Sequence, residues 1–179
     1  GGVSGTNFSL SSSFPATYWS RPTDKYNTPV YLISLAETYF FLSEYEARYG
    51  SIAKAEEYYK KAIEASFTTA GVSGFESVLE AYPWDSSNYQ KVIGIQKWVA
   101  LSGINSFEAW CELRRLGYPT FGNVTGYDLT DESSYFDTTL YVPGTLYTPI
   151  ACNASLGNNR VLQRFPYAES SANRNENTP

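Results

Sequence analysis

The chain has 179 residues, which suits one domain with a real core, and its formal net charge at neutral pH is -5. That charge argues against nucleic acid or anionic membrane surfaces as partners, and no apolar run approaches the roughly 20 residues that span a bilayer. The sequence contains no histidine, which removes serine–histidine and cysteine–histidine nucleophiles and the common zinc sites. We therefore expect a non-catalytic protein with no cofactor and no metal site.

Composition divides the chain into three stretches. Residues 1–27 are rich in Gly, Ser, Thr and Asn and predict a loop segment, whereas residues 28–119 carry helical periodicity. Residues 120–179 are again loop-like, with Thr139–Val142 and Val161–Phe165 as candidate short strands. The predicted class is therefore mainly α, within a single domain that ends in a loop-rich section.

A pair of helices is predicted at the start of the helical stretch. Thr28 and Pro29 form a start signal for a helix that runs to about Tyr49 and stops at Gly50, and Ser51 caps a second helix to about Ser66. The apolar stripe of the second helix consists of Ile52, Ala55, Tyr59, Ala62, Ile63 and Ser66. Large and small residues alternate here as in a tetratricopeptide repeat. Since one repeat cannot bury a core alone, either further repeats lie in a missing N-terminal part or residues 87–117 supply the packing surface.

The rest of the helical stretch predicts a short helix around Phe75–Tyr82 and then a helix-loop-helix. Its first helix runs from about Asn88 to Leu101. Asn105 caps the second, with Glu108 completing a capping-box-like pair, and Gly117 ends it in a left-handed conformation. Phe107, Trp110 and Leu113 recur at helical intervals and predict the buried stripe of this second helix.

Three groups of residues in this region carry a resemblance to a known family. They are Gln96-Lys97-Trp98, then Glu108-Ala109-Trp110, then Arg114-Arg115-Leu116-Gly117-Tyr118-Pro119. Together they resemble the C-terminal half of SusD/RagB-like proteins, which are nutrient-binding lipoproteins of the Gram-negative outer membrane. Arg164-Phe165-Pro166-Tyr167 resembles a later segment of the same family, although Ala168 stands where proline is usual. Helical position and helix-end charge already explain Trp98, Trp110, Arg114 and Arg115 as scaffold residues.

The resemblance implies a function. The parent protein would be anchored by a lipid on the outside of the outer membrane, capture an oligosaccharide without cleaving it, and deliver it to a TonB-dependent SusC-like transporter. The chain has no methionine and begins Gly-Gly, so we expect it to be a fragment without the lipid anchor. The alternatives are a peptide-binding member of the family, a repeat-type adaptor that holds a protein partner, and a carboxylate glycosidase, which the scattered acidic residues disfavour.

Aromatic side chains in predicted loops are the candidate ligand contacts. The chain holds 16 Tyr, 10 Phe and 4 Trp, and a sugar ring can lie flat on an indole or a phenol while its hydroxyls bond to polar neighbours. The candidate glycan-binding residues are Tyr18, Trp19, Arg21, Trp84 and Asp85. The alternative is that both tryptophans pack beneath loops as part of a minor core.

Two further features have plain interpretations. Cys111 lies within a predicted helix and is interpreted as a small buried thiol, with a disulfide to Cys152 as the alternative. The acidic residues Asp128, Asp131, Glu132 and Asp137 lack the ligand spacing of an EF-hand calcium loop. They are interpreted as a solvated loop, with a structural calcium site as the alternative.

Overall fold

The computed structural model describes residues 30–125, 144–148 and 163, and these residues are mainly α, which confirms the predicted class. The helices of the described residues are α1 (Leu35–Tyr49), α2 (Ile52–Ala70), α3 (Phe75–Ala81), α4 (Tyr89–Leu101) and α5 (Ser106–Leu116), with a 3₁₀ turn at Ser86–Asn88 before α4. All of them belong to one of the two compact units into which the chain divides.

Two strands, β1 (Thr120–Thr125) and β2 (Thr145–Thr148), pair in a two-stranded sheet that the sequence did not predict. Most of each strand belongs to a second compact unit of the chain. The predicted strand Thr139–Val142 lies outside the described residues, as does Val161–Phe165 except for Gln163. Short strands in a loop-like stretch leave little periodicity to detect, which explains why β1 and β2 were missed.

The predicted start of α1 at Thr28 and Pro29 is wrong, because residues 30–34 are not helical. The helix begins after Ser34, whose backbone is extended and whose Oγ accepts a hydrogen bond from the Glu37 N–H at 3.1 Å. A serine followed three residues later by glutamate is itself a helix-start pattern, so a signal for the true boundary was present. A threonine–proline pair six residues upstream gave an equally good local signal.

The second helix begins after Ser51 as predicted but continues past Ser66 to Ala70. Its end is set by Gly71, which adopts φ 70° and donates its N–H to the carbonyls of Phe67 and Thr68. The added turn brings Phe67 to an edge-on contact with Phe75 of α3, with ring centroids 6.3 Å apart. The left-handed glycine therefore fixes where α3 can follow.

Small side chains bring α1 and α2 close together, as the repeat-like spacing predicts. Ser43 and Ala55 are completely buried where the helices meet, and the Ser43 hydroxyl donates to the Ala55 carbonyl at 2.7 Å. Nearby, Tyr59 is also completely buried, and its ring meets Phe40 edge-on with centroids 6.3 Å apart. Its hydroxyl donates to the Tyr82 carbonyl at 2.8 Å, so the buried polar atom is satisfied.

Ser43→Ala is expected to lower the free energy of unfolding by about 0.5–1.5 kcal/mol, the usual net contribution of one hydrogen bond. The side chain is fully buried, so no water can replace the lost donor. Urea unfolding followed by circular dichroism measures the change. Ser73→Ala, at an exposed position between α2 and α3, is the control and should leave the midpoint unchanged. Equal effects of the two substitutions would contradict the assignment.

The predicted packing role of residues 87–117 is confirmed, since α4 packs against both α1 and α5. Residues are buried on most sides of α4, including Ile93, Gly94, Lys97 and Leu101, as expected for a central helix. Asn105 caps α5 by accepting the Glu108 N–H at 3.2 Å, and Gly117 ends it with φ 74°. The second hydrogen bond of a capping box, from the Asn105 N–H to the Glu108 side chain, is absent from the described contacts. The Asn105 N–H donates to the Leu101 carbonyl instead.

The predicted buried stripe of α5 is only partly right. Leu113 is buried, but Phe107 is 55% exposed and Trp110 is half-buried. The face that turns inward instead carries Ala109, Glu112, Leu113 and Leu116. The rotation has a physical reason, because it points the Glu112 carboxylate at a buried cation on α4.

Candidate functional site

Trp84 and Asp85 are the candidate ligand contacts within the described residues, and both already make structural contacts. The Trp84 ring packs against Tyr59 with centroids 5.5 Å apart and borders the hydrophobic core. Asp85 caps the 3₁₀ turn: its Oδ1 accepts the Ser87 and Asn88 N–H groups at 2.9 and 3.2 Å. Its Oδ2 accepts a hydrogen bond from the Asn88 side-chain amide at 2.7 Å. This hydrogen bond holds the pKa of the Asp85 carboxyl below its usual value and outweighs the opposing effect of burial.

One polar atom of this loop has no hydrogen-bond partner among the described residues. It is the indole Nε1 of Trp84, which is buried. A buried N–H without an acceptor is destabilising. The other candidate glycan-binding residues, Tyr18, Trp19 and Arg21, lie outside the described residues.

A cluster of charged side chains connects α1, α4 and α5, and no sequence pattern predicted it. All of its members are buried except Arg115, whose side chain is 40% exposed. We call it the charge network; its members are Glu37 and Glu44 of α1, Lys97 of α4, and Glu112 and Arg115 of α5. The Lys97 side chain is only 1% exposed. Its Nζ lies 3.0 Å from Glu112 Oε2, 3.7 Å from Glu37 Oε1 and 3.3 Å from the centre of the Phe41 ring.

Arg115 joins two carboxylates in the outer part of the charge network. Its Nη1 and Nη2 donate to the two oxygens of Glu44 at 2.7 and 2.6 Å, and its Nε and Nη2 donate to Glu112 at 2.9 and 2.6 Å. Arg48 adds a further contact to Glu44 at 2.8 Å. Paired, planar hydrogen bonds of this kind are the strongest that an arginine makes, and a lysine cannot reproduce them.

The charge network shifts the pKa values of its members. Burial alone would raise the pKa of Glu44, but hydrogen bonds and charge from Arg115 outweigh it and hold the pKa below 4.5. Glu112 behaves in the same way, with Arg115 and Lys97 outweighing burial. Burial also lowers the pKa of Lys97, and the two carboxylates only partly oppose this. The hydrogen bonds from Arg115 to both carboxylates raise the pKa of the arginine.

The low pKa values predict that acid destabilises the protein. The stability that Glu44 and Glu112 contribute is fully present above the unfolded value of 4.5 and is lost as the pH falls through their lower folded values. The free energy of unfolding, measured in urea from pH 7 to pH 3, should therefore fall at the acidic end. Glu44→Gln should flatten that fall.

Exposed ion pairs offer a matched control for the acid effect. The pKa of Glu57 is also lowered, by its hydrogen bond to Lys61, but this pair lies on the surface of α2. Salt screens exposed pairs far more than buried ones, so added salt should remove the contribution of Glu57 and leave that of Glu44. Equal salt sensitivity of Glu57→Gln and Glu44→Gln would contradict a buried origin.

The remaining motif residues support the same helices. Gln96 and Pro119 are buried, and Trp98 and Tyr118 are half-buried. Arg114 stacks on Trp110, with its guanidinium carbon 4.1 Å from the ring centre. Arg164 and Tyr167 lie outside the described residues. The sequence identified the positions Lys97 and Arg115 but not their partners, because Glu37 and Glu44 lie in another helix at the start of the described chain.

The remaining candidate residues are the two cysteines and the acidic residues of one loop. Cys111 is a free, half-buried cysteine, and Cys152 lies outside the described residues. The acidic residues between 128 and 137 also lie outside them. Where the structure describes the chain, no group of acidic or cysteine side chains is arranged to hold a metal ion. No helix in this part combines the length and the hydropathy needed to cross a membrane.

Comparison with known proteins identifies a matching family. A family model named SusD-like and described as starch-binding, associating with the outer membrane, matches residues 1–136. This range includes the five helices and all three groups of resembling residues between 96 and 119. No curated protein matches the chain significantly.

Proposed function

The chain belongs to the SusD-like family, whose members bind starch and associate with the outer membrane, and from this membership we propose that the protein captures an oligosaccharide at the cell surface. The family match over residues 1–136 is the observation that carries the proposal. In this proposal binding is non-catalytic, the parent protein is anchored by a lipid, and the captured glycan passes to a SusC-like TonB-dependent transporter.

We propose that the main contacts with the glycan are made by Tyr18, Trp19 and Arg21. The rings of Tyr18 and Trp19 can stack on a sugar face, and the guanidinium of Arg21 can donate hydrogen bonds to sugar hydroxyls. Trp84 and Asp85 are proposed as a second set, but the Asp85 oxygens and one side of the Trp84 ring already serve the fold. The contact most accessible to a test is therefore Trp19.

Trp19→Ala is expected to weaken retention of the full-length protein on soluble starch by about tenfold, since loss of an aromatic anchor usually costs more than 1 kcal/mol. Affinity electrophoresis at increasing starch concentration measures this, and urea unfolding checks that the fold is intact. Tyr49→Ala, at a 75% exposed tyrosine of α1, is the matched control. Unchanged retention by Trp19→Ala would remove this residue from the site, and absence of retention by the wild type would overturn starch as the ligand class.

A peptide is the closest alternative ligand, and the same gels distinguish it. If the protein binds neither starch nor any sugar of a glycan array but does bind peptides, it is a peptide-binding member of the same family. Incubation of a bound glycan followed by chromatography tests the glycosidase alternative, because release of shorter products would show cleavage.

One observation favours a protein partner as a second candidate function. An exposed apolar face runs along α1 and includes Leu35, Leu42, Tyr45 and Tyr49. The two tyrosines are 59% and 75% exposed, and their ring centroids are 5.7 Å apart. Large exposed apolar faces commonly bind other proteins. If Tyr45→Ala abolished a specific protein interaction while starch retention was absent in the wild type, the adaptor function would replace glycan capture.

A further inference from the structure

We propose that the charge network sets the register of α4 and α5 on α1, and that it stabilises the fold no more than apolar side chains of similar size would. Five charged side chains converge where these three helices meet, and Lys97, Glu37, Glu44 and Glu112 are all buried. Removing charges from water is costly, and a buried ion network usually offsets that cost without exceeding it. The structure therefore needs another reason for placing them here.

The connections of the charge network specify one arrangement of the helices. Lys97 of α4 contacts a carboxylate from α1 and another from α5, and Glu112 is shared between Lys97 and Arg115. Arg115 in turn holds Glu44, seven residues after Glu37 on α1. If any of these helices shifted by one turn, about 5.4 Å, its charged side chains would move out of hydrogen-bonding distance of their partners. A buried charge would then be left without its partner.

Some of the apolar contacts around the charge network specify the arrangement much less. Large side chains such as Phe40, Ile93 and Leu113 are buried on these helices, but alanines are buried beside them: Ala36 on α1, Ala100 on α4 and Ala109 on α5. An alanine side chain is small and packs against its neighbours in several helix arrangements equally well. Cores whose side chains lack specific shape complementarity lose a unique packing before they lose stability. The charge network supplies the specificity that these small side chains lack.

The decisive experiment replaces the whole charge network in the full chain with apolar residues of similar size. The variant carries Glu37→Leu, Glu44→Leu, Lys97→Met, Glu112→Leu and Arg115→Met. Its urea midpoint should equal or exceed that of the wild type, whereas the near-ultraviolet circular dichroism and the dispersion of amide signals should be lost. Retention of wild-type spectra, or a midpoint as low as that of Lys97→Met alone, would overturn the proposal.

A milder variant keeps the proposal testable if the apolar protein does not fold. Arg115→Lys preserves the charge but cannot bond two carboxylates through a planar fork. Amide hydrogen exchange should show a selective loss of protection in α4 and α5, with α2 unchanged. An equal loss in every helix, or none in any, would contradict a register-setting role. Lys61→Met with Glu57→Leu, which removes an exposed pair of α2, is the control and should change neither measurement.

Discussion

Lys97→Met is expected to lower the free energy of unfolding by about 3–5 kcal/mol, the usual result of removing one partner from a buried ion pair. The substitution keeps most of the apolar volume but leaves Glu37 and Glu112 buried without their ammonium partner. The ion pair at 3.0 Å is lost, and Glu37 is left as a buried negative charge where three helices meet, whereas Glu112 keeps its hydrogen bonds to Arg115. The loss of packing is small by comparison, because methionine has nearly the same length and shape as the lysine stem.

Urea unfolding of Lys97→Met at pH 7, followed by circular dichroism, measures this effect. Lys60→Met is the matched control, since Lys60 pairs with Glu56 at 2.7 Å on the surface of α2. Exposed pairs contribute about 0–1 kcal/mol, so the control should unfold close to the wild type. A small effect at Lys97 would mean that water reaches the charge network. Partial rescue of Lys97→Met by adding Glu37→Leu would show that the stranded carboxylate causes the loss, since Glu112 keeps its hydrogen bonds to Arg115.

Gly94→Ala is expected to destabilise the protein although alanine is the better helix former. The helix preference favours alanine by about 1 kcal/mol in the middle of α4. However, a Cβ atom at this position would lie 2.8 Å from Tyr118 Cβ and 3.2 Å from the Tyr118 carbonyl oxygen. Since one of these neighbours is backbone, relief requires a shift of the chain after α5, and such overpacking typically costs about 1–3 kcal/mol. Overpacking should therefore exceed the propensity gain.

The midpoint of urea unfolding tests Gly94→Ala against a second glycine. At Gly50 a Cβ would meet the end of the flexible Glu46 side chain, which can move aside after giving up one hydrogen bond to the Ser51 N–H. Gly50→Ala is thus expected to have the smaller effect. A more stable Gly94→Ala protein would show that the segment around Tyr118 is free to move away from α4.

The local boundaries of the helices could largely be predicted from the sequence. The cap at Asn105, the left-handed end at Gly117 and the helix ending at Leu101 depend on residues within a few positions, and the structure confirms each. The prediction of where α1 starts was wrong for a local reason as well, because start signals at Thr28 and at Ser34 lie six residues apart. Only contacts beyond the helix could choose between them, and Glu37 and Ala36 are buried when the helix begins after Ser34.

The family and the helical class were determined by the sequence, since motif residues and helical periodicity are properties of neighbouring positions along the chain. The tertiary structure alone decided which face of α5 is buried and why Lys97 and Arg115 occupy their positions. The partners of Arg115 include Glu44, which is 71 residues away in the chain. No periodicity relates residues at that separation, and the energetic penalty for an unpaired buried charge appears only once the helices pack. The same penalty turns Glu112 inward and leaves Phe107 exposed.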